Sequence, residues 1–312
     1  MTGLVTLFGG SGFLGRYVAQ ALLRRGARVR FVSRDARTSW HLRPLSALGQ
    51  SQFVSADITK ADSVRRVAAG SDAVINLVGI LAGDFEAVHV AGARNVAEAA
   101  AAAGAKALVH VSAIGADPAS ASAYGASKGR GEAAVRAAFP AATIVRPSIL
   151  FGPEDAFVNR FARLAQVLPV VPVVRGRTRF QPAYVADVAK AVAAAALEPG
   201  SHAGATYELG GPQTMTMAEL VAWVSRAIGR SGKVVALPDA LGGMMASLGF
   251  LPGAPITRDQ WAMLQRDNVV AEGAAGFASF GITPTPLAAV APEWLVRYRK
   301  NGRFSMTKGI PA

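Results

Sequence analysis

The sequence predicts an α/β chain: a doubly wound parallel sheet followed by a smaller, irregular α/β C-terminal lobe. Three observations predict it. Short apolar runs alternate with helical patterns through the first half, a glycine-rich turn lies between the first run and the first helix, and prolines break up the texture beyond Pro147. Leu4–Phe8 reads as a buried strand, and Phe13–Arg25 as a helix that Gly26 stops. Arg28–Val32, Gln52–Ser55 and Ala73–Leu77 read as the second, third and fourth strands. Glu86–Ala103 reads as one Ala-rich helix closed by Gly104. Ala107–Ser112 is a fifth strand, Tyr124–Ala138 a helix and Ala142–Arg146 a sixth strand. Six strands with intervening helices complete a doubly wound sheet with right-handed crossovers. Past Pro153, Pro169, Pro172 and Pro182, helices Val185–Leu197 and Met217–Ile228 alternate with short strands at Thr206–Leu209 and Val234–Leu237. The expected division is 1–150 for a nucleotide domain and 151–312 for a smaller substrate or docking lobe, the two interleaving in space.

Composition narrows the function classes. Of the 312 residues 51% are hydrophobic and 17% charged, as in an ordinary globular core. With no cysteine, disulfides, thiol nucleophiles and thiolate metal sites are excluded. The four histidines, His41, His89, His110 and His202, stand apart from one another and from carboxylates at metal-ligand spacing, so no metal is expected and they read as loop, helix-surface or strand residues. The net charge of +13 favours acidic partners such as a nucleotide phosphate, an anionic membrane surface or an acidic complex. The basic residues are scattered apart from Arg24-Arg25, Arg175–Arg179 and Arg297–Arg303, with no interleaved aromatics, so nucleic acid is not expected. The N-terminus enters a strand without a signal-peptide pattern, which predicts a cytoplasmic protein. The apolar stretch Ala240–Leu251 is too short to span a membrane and could at most touch one.

The loop Gly9-Gly10-Ser11-Gly12-Phe13-Leu14-Gly15, with Arg16 following, has the strand–turn–helix context of a Rossmann-type dinucleotide site. Glycine is needed where the backbone turns sharply, where it approaches a pyrophosphate, and where helix packs on strand; a plain tight turn is the bland alternative. The cofactor is read at the end of the second strand. There an NAD site carries an acidic side chain for the ribose hydroxyls, whereas this chain has Ser33 and then Arg34, whose guanidinium suits a 2′-phosphate. This predicts NADP(H). NAD(H) is the alternative if Asp35 takes the acidic role and Arg34 is a solvated surface residue.

Further residues fall at strand ends. Asp57 could accept a bond from an adenine amino group while Ile58 covers the ring, or Asp57 could simply hold a turn. In Asn76-Leu77-Val78-Gly79 the glycine either admits the backbone to the cofactor ribose or merely ends the strand. Tyr124 and Lys128, four apart, share a helical face. There the ammonium would lower the phenol pKa and bond the nicotinamide ribose, leaving the tyrosine a general acid. Ser112 is the third catalytic candidate, bonding a substrate carbonyl, unless the backbone satisfies its hydroxyl.

Together these residues resemble the extended or atypical short-chain dehydrogenase/reductase superfamily, through the glycine loop, Asp57-Ile58, the Asn76–Gly79 segment and Tyr124/Lys128. Arg146-Pro147-Ser148, Phe151-Gly152-Pro153 and Tyr184–Ala189 extend the resemblance. It implies that Pro147, Ser148 and Ile149 line the nicotinamide side of the cofactor. A narrower resemblance is to the NADPH-binding accessory subunit of respiratory complex I and its bacterial relatives. It rests on Val111–Asp117, Lys128–Glu132, Phe151–Asp155 with Asn159–Phe161, Gln181-Pro182, Asp267–Val270, Phe280–Ile282 and Pro292–Leu295. This implies a structurally held NADPH and a place on complex I or on membrane machinery for quinone biosynthesis, peripheral to the inner face of the inner membrane, with Gly242–Leu251 as an apolar contact. Two further functions stay open: an active NADPH-dependent reductase of a carbonyl or quinone-like substrate using Tyr124, Lys128 and Ser112, and a nucleotide-sugar epimerase or dehydratase.

Overall fold

A computed structural model describes residues 3–249 and 256–304. In chain order its elements are β1 (Leu4–Phe8), α1 (Phe13–Arg24), β2 (Arg28–Ser33), β3 (Ser51–Ser55), α2 (Ala61–Ala68) and β4 (Ala73–Asn76). A π-helical turn at Glu86–Gly92 runs into α3 (Ala93–Ala102), followed by β5 (Ala107–Val111), α4 (Ala123–Ala138) and β6 (Thr143–Pro147). Then come β7 (Leu150–Phe151), α5 (Phe157–Val167), β8 (Val171–Val173), β9 (Arg179–Phe180), β10 (Ala183–Tyr184), α6 (Val185–Leu197), α7 (Pro199–His202) and β11 (Thr206–Leu209). The last are β12 (Met215–Thr216), α8 (Met217–Ala227), β13 (Val234–Ala236), α9 (Asp239–Ser247), α10 (Arg258–Met263) and α11 (Leu287–Leu295). The chain forms two compact units. One runs to Pro147 and adds Val185–Leu209 and Glu272–Thr283; the other comprises Ser148–Tyr184, Gly210–Ala271 and the chain from Pro284 onward.

The first unit is a seven-stranded parallel sheet in the order β11-β6-β5-β4-β1-β2-β3. Its central strands β1, β4 and β5 are near-continuous apolar runs because helices cover both faces. Phe8, Val32, Val74, Leu108 and Ile144 build one core with Val64 of α2, Val96 of α3 and Val135 of α4. The alternate residues Leu7, Phe31, Ile75 and Val109 are equally buried, and α1 and α6 pack on each other and the sheet. The chain leaves β1 for β2 on one side and β4 lies on the other, so the strand order reverses at β1. In such sheets the crevice beyond the strands' carboxyl ends at this point is the natural ligand site.

Two readings of the sequence shift. Helix α6 and Thr206–Leu209, read with the smaller lobe, belong to the first unit, and β11 is a seventh sheet strand with Glu208 in register with Arg146. Pairing across such a sequence separation leaves no local pattern to read. The segment Glu86–Ala103, read as one α-helix, opens with the π-helical turn before α3 begins. Gly131 of α4 allows that turn to approach, since a Cβ there would strike the His89 carbonyl oxygen.

The second unit has its own core, in which Val158 of α5, Leu220 and Val224 of α8 and Leu295 of α11 surround Phe151. Three two-stranded pairs, β7 with β10, β9 with β12 and β8 with β13, edge it. The segment expected to offer an apolar contact forms α9 up to Ser247; Phe250 and Leu251 lie outside the described residues. Among the described residues no helix is long and apolar enough to cross a membrane.

Candidate functional site

The glycine loop makes a bare helix entrance. The Gly9 amide donates to the Val32 carbonyl at 3.1 Å and Gly9 takes a φ of +81°; the Gly12 amide then bonds back to the Gly9 carbonyl at 3.1 Å. A Cβ on Gly15 would come 2.6 Å from the Gly10 carbonyl oxygen, so only glycine lets α1 lie this close to the turn. Gly12 caps α1 with no side chain to offer, and the first turn holds no acidic residue. The leading amides of Phe13, Leu14 and Gly15 have no intrahelical acceptor, and with the helix dipole they favour an anion. Ser11 flanks this entrance half-buried; Arg16 is exposed, its amide already bonded to the Gly12 carbonyl.

At the end of β2 the Ser33 hydroxyl donates to the Asp35 carbonyl oxygen at 2.7 Å. The Asp35 carboxylate is engaged by Arg37, whose Nε and Nη2 donate to it at 3.0 and 2.9 Å, and this pairing holds its pKa below the usual carboxylate range. Arg34 is exposed, and among the described residues its side chain makes no ion pair or hydrogen bond, though its charge helps lower the Asp57 pKa. After β3, Asp57 Oδ1 accepts from the Thr59 amide (3.0 Å) and hydroxyl (2.8 Å), so it holds its own turn; these bonds lower its pKa. Ile58 is buried within the core against Gly92 rather than lying over open space. Leu77, Val78 and Gly79 follow β4, the Leu77 amide bonded to the Phe8 carbonyl and the Val78 amide to Asn76 Oδ1.

Beyond β5 a buried polar cluster forms on α4. Ser122 caps this helix by accepting from the Gly125 amide, so Tyr124 falls in its first turn and Lys128 one turn on. The Lys128 ammonium is 4% exposed, donates to the Val111 carbonyl at 3.2 Å, and lies 6.0 Å from the Tyr124 ring centroid. It also packs near Gly79, where a Cβ would approach Nζ to 3.2 Å and push the lysine tip by a few tenths of an ångström. Burial pulls the Lys128 pKa down to about 8, with Glu132 pulling the other way. Ser112 is 4% exposed and its hydroxyl has no hydrogen-bond partner. A buried hydroxyl left open in this way fits a group that arrives from outside the chain.

Sequence reasoning missed His89. It is buried, its Nε2 accepts from the Ile80 amide at 3.0 Å, and its Nδ1 lies 2.8 Å from the Ser127 hydroxyl, which donates to the Tyr124 carbonyl at 2.8 Å. An amide can only donate, so the imidazole is neutral with its proton on Nδ1. Burial, reinforced by the Lys128 charge, lowers the His89 pKa to about 4. Its ring stacks on Phe85 and meets Tyr124 edge-on at 5.5 Å, which ties the segment after β4 to the helix bearing Tyr124 and Lys128. His110, 2% exposed, takes Asn76 Nδ2 on Nδ1 at 3.3 Å and leaves Nε2 without a partner. No local pattern marks these histidines. A search for buried bases on one sheet face would have found them.

The strand ends thus bring together the glycine loop, Ser33 and Arg34, Asp57, Leu77–Gly79, Ser112, Tyr124 and Lys128 in the first unit. Pro147 ends β6 there, its carbonyl accepting from the Ile114 amide at 3.1 Å. Ser148 and Ile149 fall in the second unit. The Ser148 hydroxyl donates to Asn268 Oδ1 at 2.6 Å and the Ile149 amide to the same oxygen at 3.0 Å, so the serine is already satisfied. Among the described residues there is no group of three or more histidines or carboxylates able to hold a metal.

Comparisons with known proteins give the family and the fold. Residues 5–210 match the NAD dependent epimerase/dehydratase family. The chain is 37% identical over 304 residues to NADH dehydrogenase (ubiquinone) 1 alpha subcomplex subunit 9 of Rattus norvegicus mitochondria, covering 95% of this chain and 80% of that one. It is 33% identical to the ceramide reductase of Caulobacter vibrioides, over 76% of this chain and 74% of the relative. An NADPH-dependent quinone oxidoreductase of Escherichia coli, solved with NADPH, shares the fold with a TM-score of 0.74 at 21% identity, covering 93% of this chain and 99% of that one.

Proposed function

The chain belongs to the NAD dependent epimerase/dehydratase family, and from that membership and the site's geometry we propose that it holds NADP(H) as a structural ligand while serving as an accessory or assembly component of respiratory complex I or of quinone-related membrane machinery. The match along 95% of the chain to a protein named as a subunit of that complex carries the reading. The cofactor choice is supported at the end of β2, where Ser33 replaces the carboxylate, Asp35 is occupied by Arg37, and Arg34 is free to meet a 2′-phosphate. The glycine loop takes the pyrophosphate, Gly79 admits the ribose, and the two Lys128 protons left over by Val111 bond its hydroxyls. The net charge of +13 suits a peripheral position at an anionic membrane face inside the cell.

Mass analysis of the nucleotide that co-purifies, with native electrophoresis of membranes from the source cell, tests this reading. NADP(H) and co-migration with complex I are expected. NAD(H) alone, or migration only as the free protein, overturns the corresponding half. Arg34→Glu should weaken NADPH at least about tenfold and leave NADH nearly unaffected.

A second reading, an active reductase of a carbonyl or quinone-like group, is favoured by the unpartnered Ser112 hydroxyl beside an intact Tyr124/Lys128 pair. Nicotinamide supplies the hydride in such chemistry; Ser112 would hold the carbonyl oxygen and Tyr124 would deliver the proton. NADPH oxidation by a carbonyl or quinone that vanishes in Tyr124→Phe, with NADPH still bound, selects this reading over the first.

A further inference from the structure

A groove of about 580 Å³ lies in the first unit between α1 and α6, closed along one side by the chain around Phe280. The groove runs along α1 from Tyr17 to Arg25, and Arg24 on its rim is eleven residues from Phe13, about 16 Å from the glycine loop, so its cationic end lies well away from the nucleotide. Its volume is within the roughly 300–1,000 Å³ of small-molecule pockets. The lining is mixed: Gln20, Ser201 and Ser279 add polar groups, while the alanines with Phe280 and Ile282 supply an apolar strip. Ala21 of α1 and Ala193 and Ala194 of α6 present only methyl groups, and Phe280 continues this surface. The Phe280 ring is fixed in advance: it stacks on His202 at 4.5 Å and 23°, and His202 Nδ1 is bonded to the Tyr207 hydroxyl at 2.9 Å. Burial lowers the His202 pKa, which disfavours a charge beneath the ring.

The rim is cationic. Among the described residues the Arg24 side chain, exposed, has no hydrogen-bond or ion-pair partner, while exposed Lys190 has a single partner there, the buried Asp187, at 2.9 Å. Arg25 is already spoken for by Glu198, and that pair bounds the groove. An unpaired guanidinium and a half-committed ammonium over a methyl-lined trough match a ligand with one anionic end and one apolar body. A wholly polar anion would leave the trough uncovered, and a cation would meet Arg24 and Lys190 unfavourably.

We propose that this groove binds a single-chain anionic amphiphile, its acyl chain on Ala21, Ala193, Ala194 and Phe280 and its carboxylate or phosphate head against Arg24 and Lys190. The head group has two natural sources, a free fatty acid or a phosphorylated lipid, and both share this chemistry.

Titration calorimetry on the full, nucleotide-loaded chain tests it with decanoate, decyl phosphate, inorganic phosphate, decanol and decyltrimethylammonium. Decanoate or decyl phosphate should bind at least about tenfold more tightly than decanol, inorganic phosphate or the cationic amphiphile. The tighter of the two anions identifies the source. The Arg24→Glu, Lys190→Glu double variant should lose that advantage, and Ala194→Trp should block both anions by filling the trough. Retention of the nucleotide by each variant shows that it is folded, since neither change touches the nucleotide site. Equal binding of decanol or the cationic amphiphile, binding of inorganic phosphate as tight as decyl phosphate, or indifference to charge reversal in a folded variant would each overturn the proposal.

Discussion

Lys128 and Glu132 sit one turn apart on α4, both buried and both charged, and they live in opposite surroundings. Glu132 receives Arg146 in a two-pronged bond, Nε at 2.9 Å and Nη2 at 2.6 Å, and the same guanidinium reaches Glu208 on β11 at 3.4 Å. That network closes on itself: each charge meets its opposite, and the bond to Glu132 raises the Arg146 pKa. Around Lys128 bases predominate, with His89 lowered to about 4, His110 to about 3 and Lys128 to about 8, mainly by burial, and Glu132 one turn on is the acid that pulls Lys128 back. Two of the polar atoms there, His110 Nε2 and the Ser112 hydroxyl, have no partner at all. A structural polar cluster and one shaped for a ligand thus differ in what folding leaves unsatisfied. The first satisfies itself on folding. The second is left short of anions, acceptors and donors that something else must bring.

Arg146→Met presses hardest on this distinction. It strands Glu132 and Glu208, so chemical denaturation should register a loss of about 3 kcal/mol while the folded fraction keeps its nucleotide. A loss as small as that of an exposed pair would show that the network is ornamental. Next comes His89→Phe, which removes the acceptor for the Ile80 amide and the donor to Ser127. About 1–3 kcal/mol should go, and nucleotide affinity should fall with it because Tyr124 and Gly79 lose their tie. Unchanged affinity would reduce His89 to core packing.

Lys128→Met should move stability the other way. The folded chain holds the Lys128 proton less well than the unfolded chain between about 8 and the ordinary 10.5. The unfolded state therefore binds more protons in that window, and stability contributed through this group rises with pH across it. Below about 8 the buried ammonium is a full burden. At neutral pH the variant should be more stable by about 1–2 kcal/mol, should lack the alkaline rise, and should bind NADP(H) worse. In the native chain nucleotide affinity should decline as pH climbs through about 8, because the ammonium that attracts the anion is lost. The smallest effect is expected from Asp57→Asn: the amide oxygen can still accept from Thr59, so stability should change by less than about 0.5 kcal/mol.

How much of this was visible in the sequence follows the range of the interactions. The glycine loop was legible because a sharp turn between an apolar run and a helix is written in adjacent residues. Tyr124 and Lys128 were legible because helical spacing alone puts them on one face. The seventh strand was not, because β11 gains its place only by pairing with β6. His89 was not, because what defines it comes from Ile80, Ser127 and the packing of α4. Asp57 was legible only as two alternatives, an adenine partner or a turn residue, and its Oδ1 holds the turn at Thr59 two residues away. The Ser148 hydroxyl is consumed by Asn268, 120 residues along the chain, which no local pattern forecasts.

The π-helical turn at Glu86–Gly92 carries a consequence for the lineage of this chain. Such a turn winds one more residue into nearly the space of an α-turn, so it amounts to an insertion kept inside a helix instead of expelled as a loop. Removing one residue, for instance Ala87, should let the segment relax into plain α-helix and leave the sheet and α3 standing. His89 would then rotate by about 100° around the helix axis and away from Ser127. A relative built without that residue would align here only through a gap in mid-helix, where gaps are ordinarily dismissed as errors, and that single missing position would announce a different arrangement behind the tyrosine.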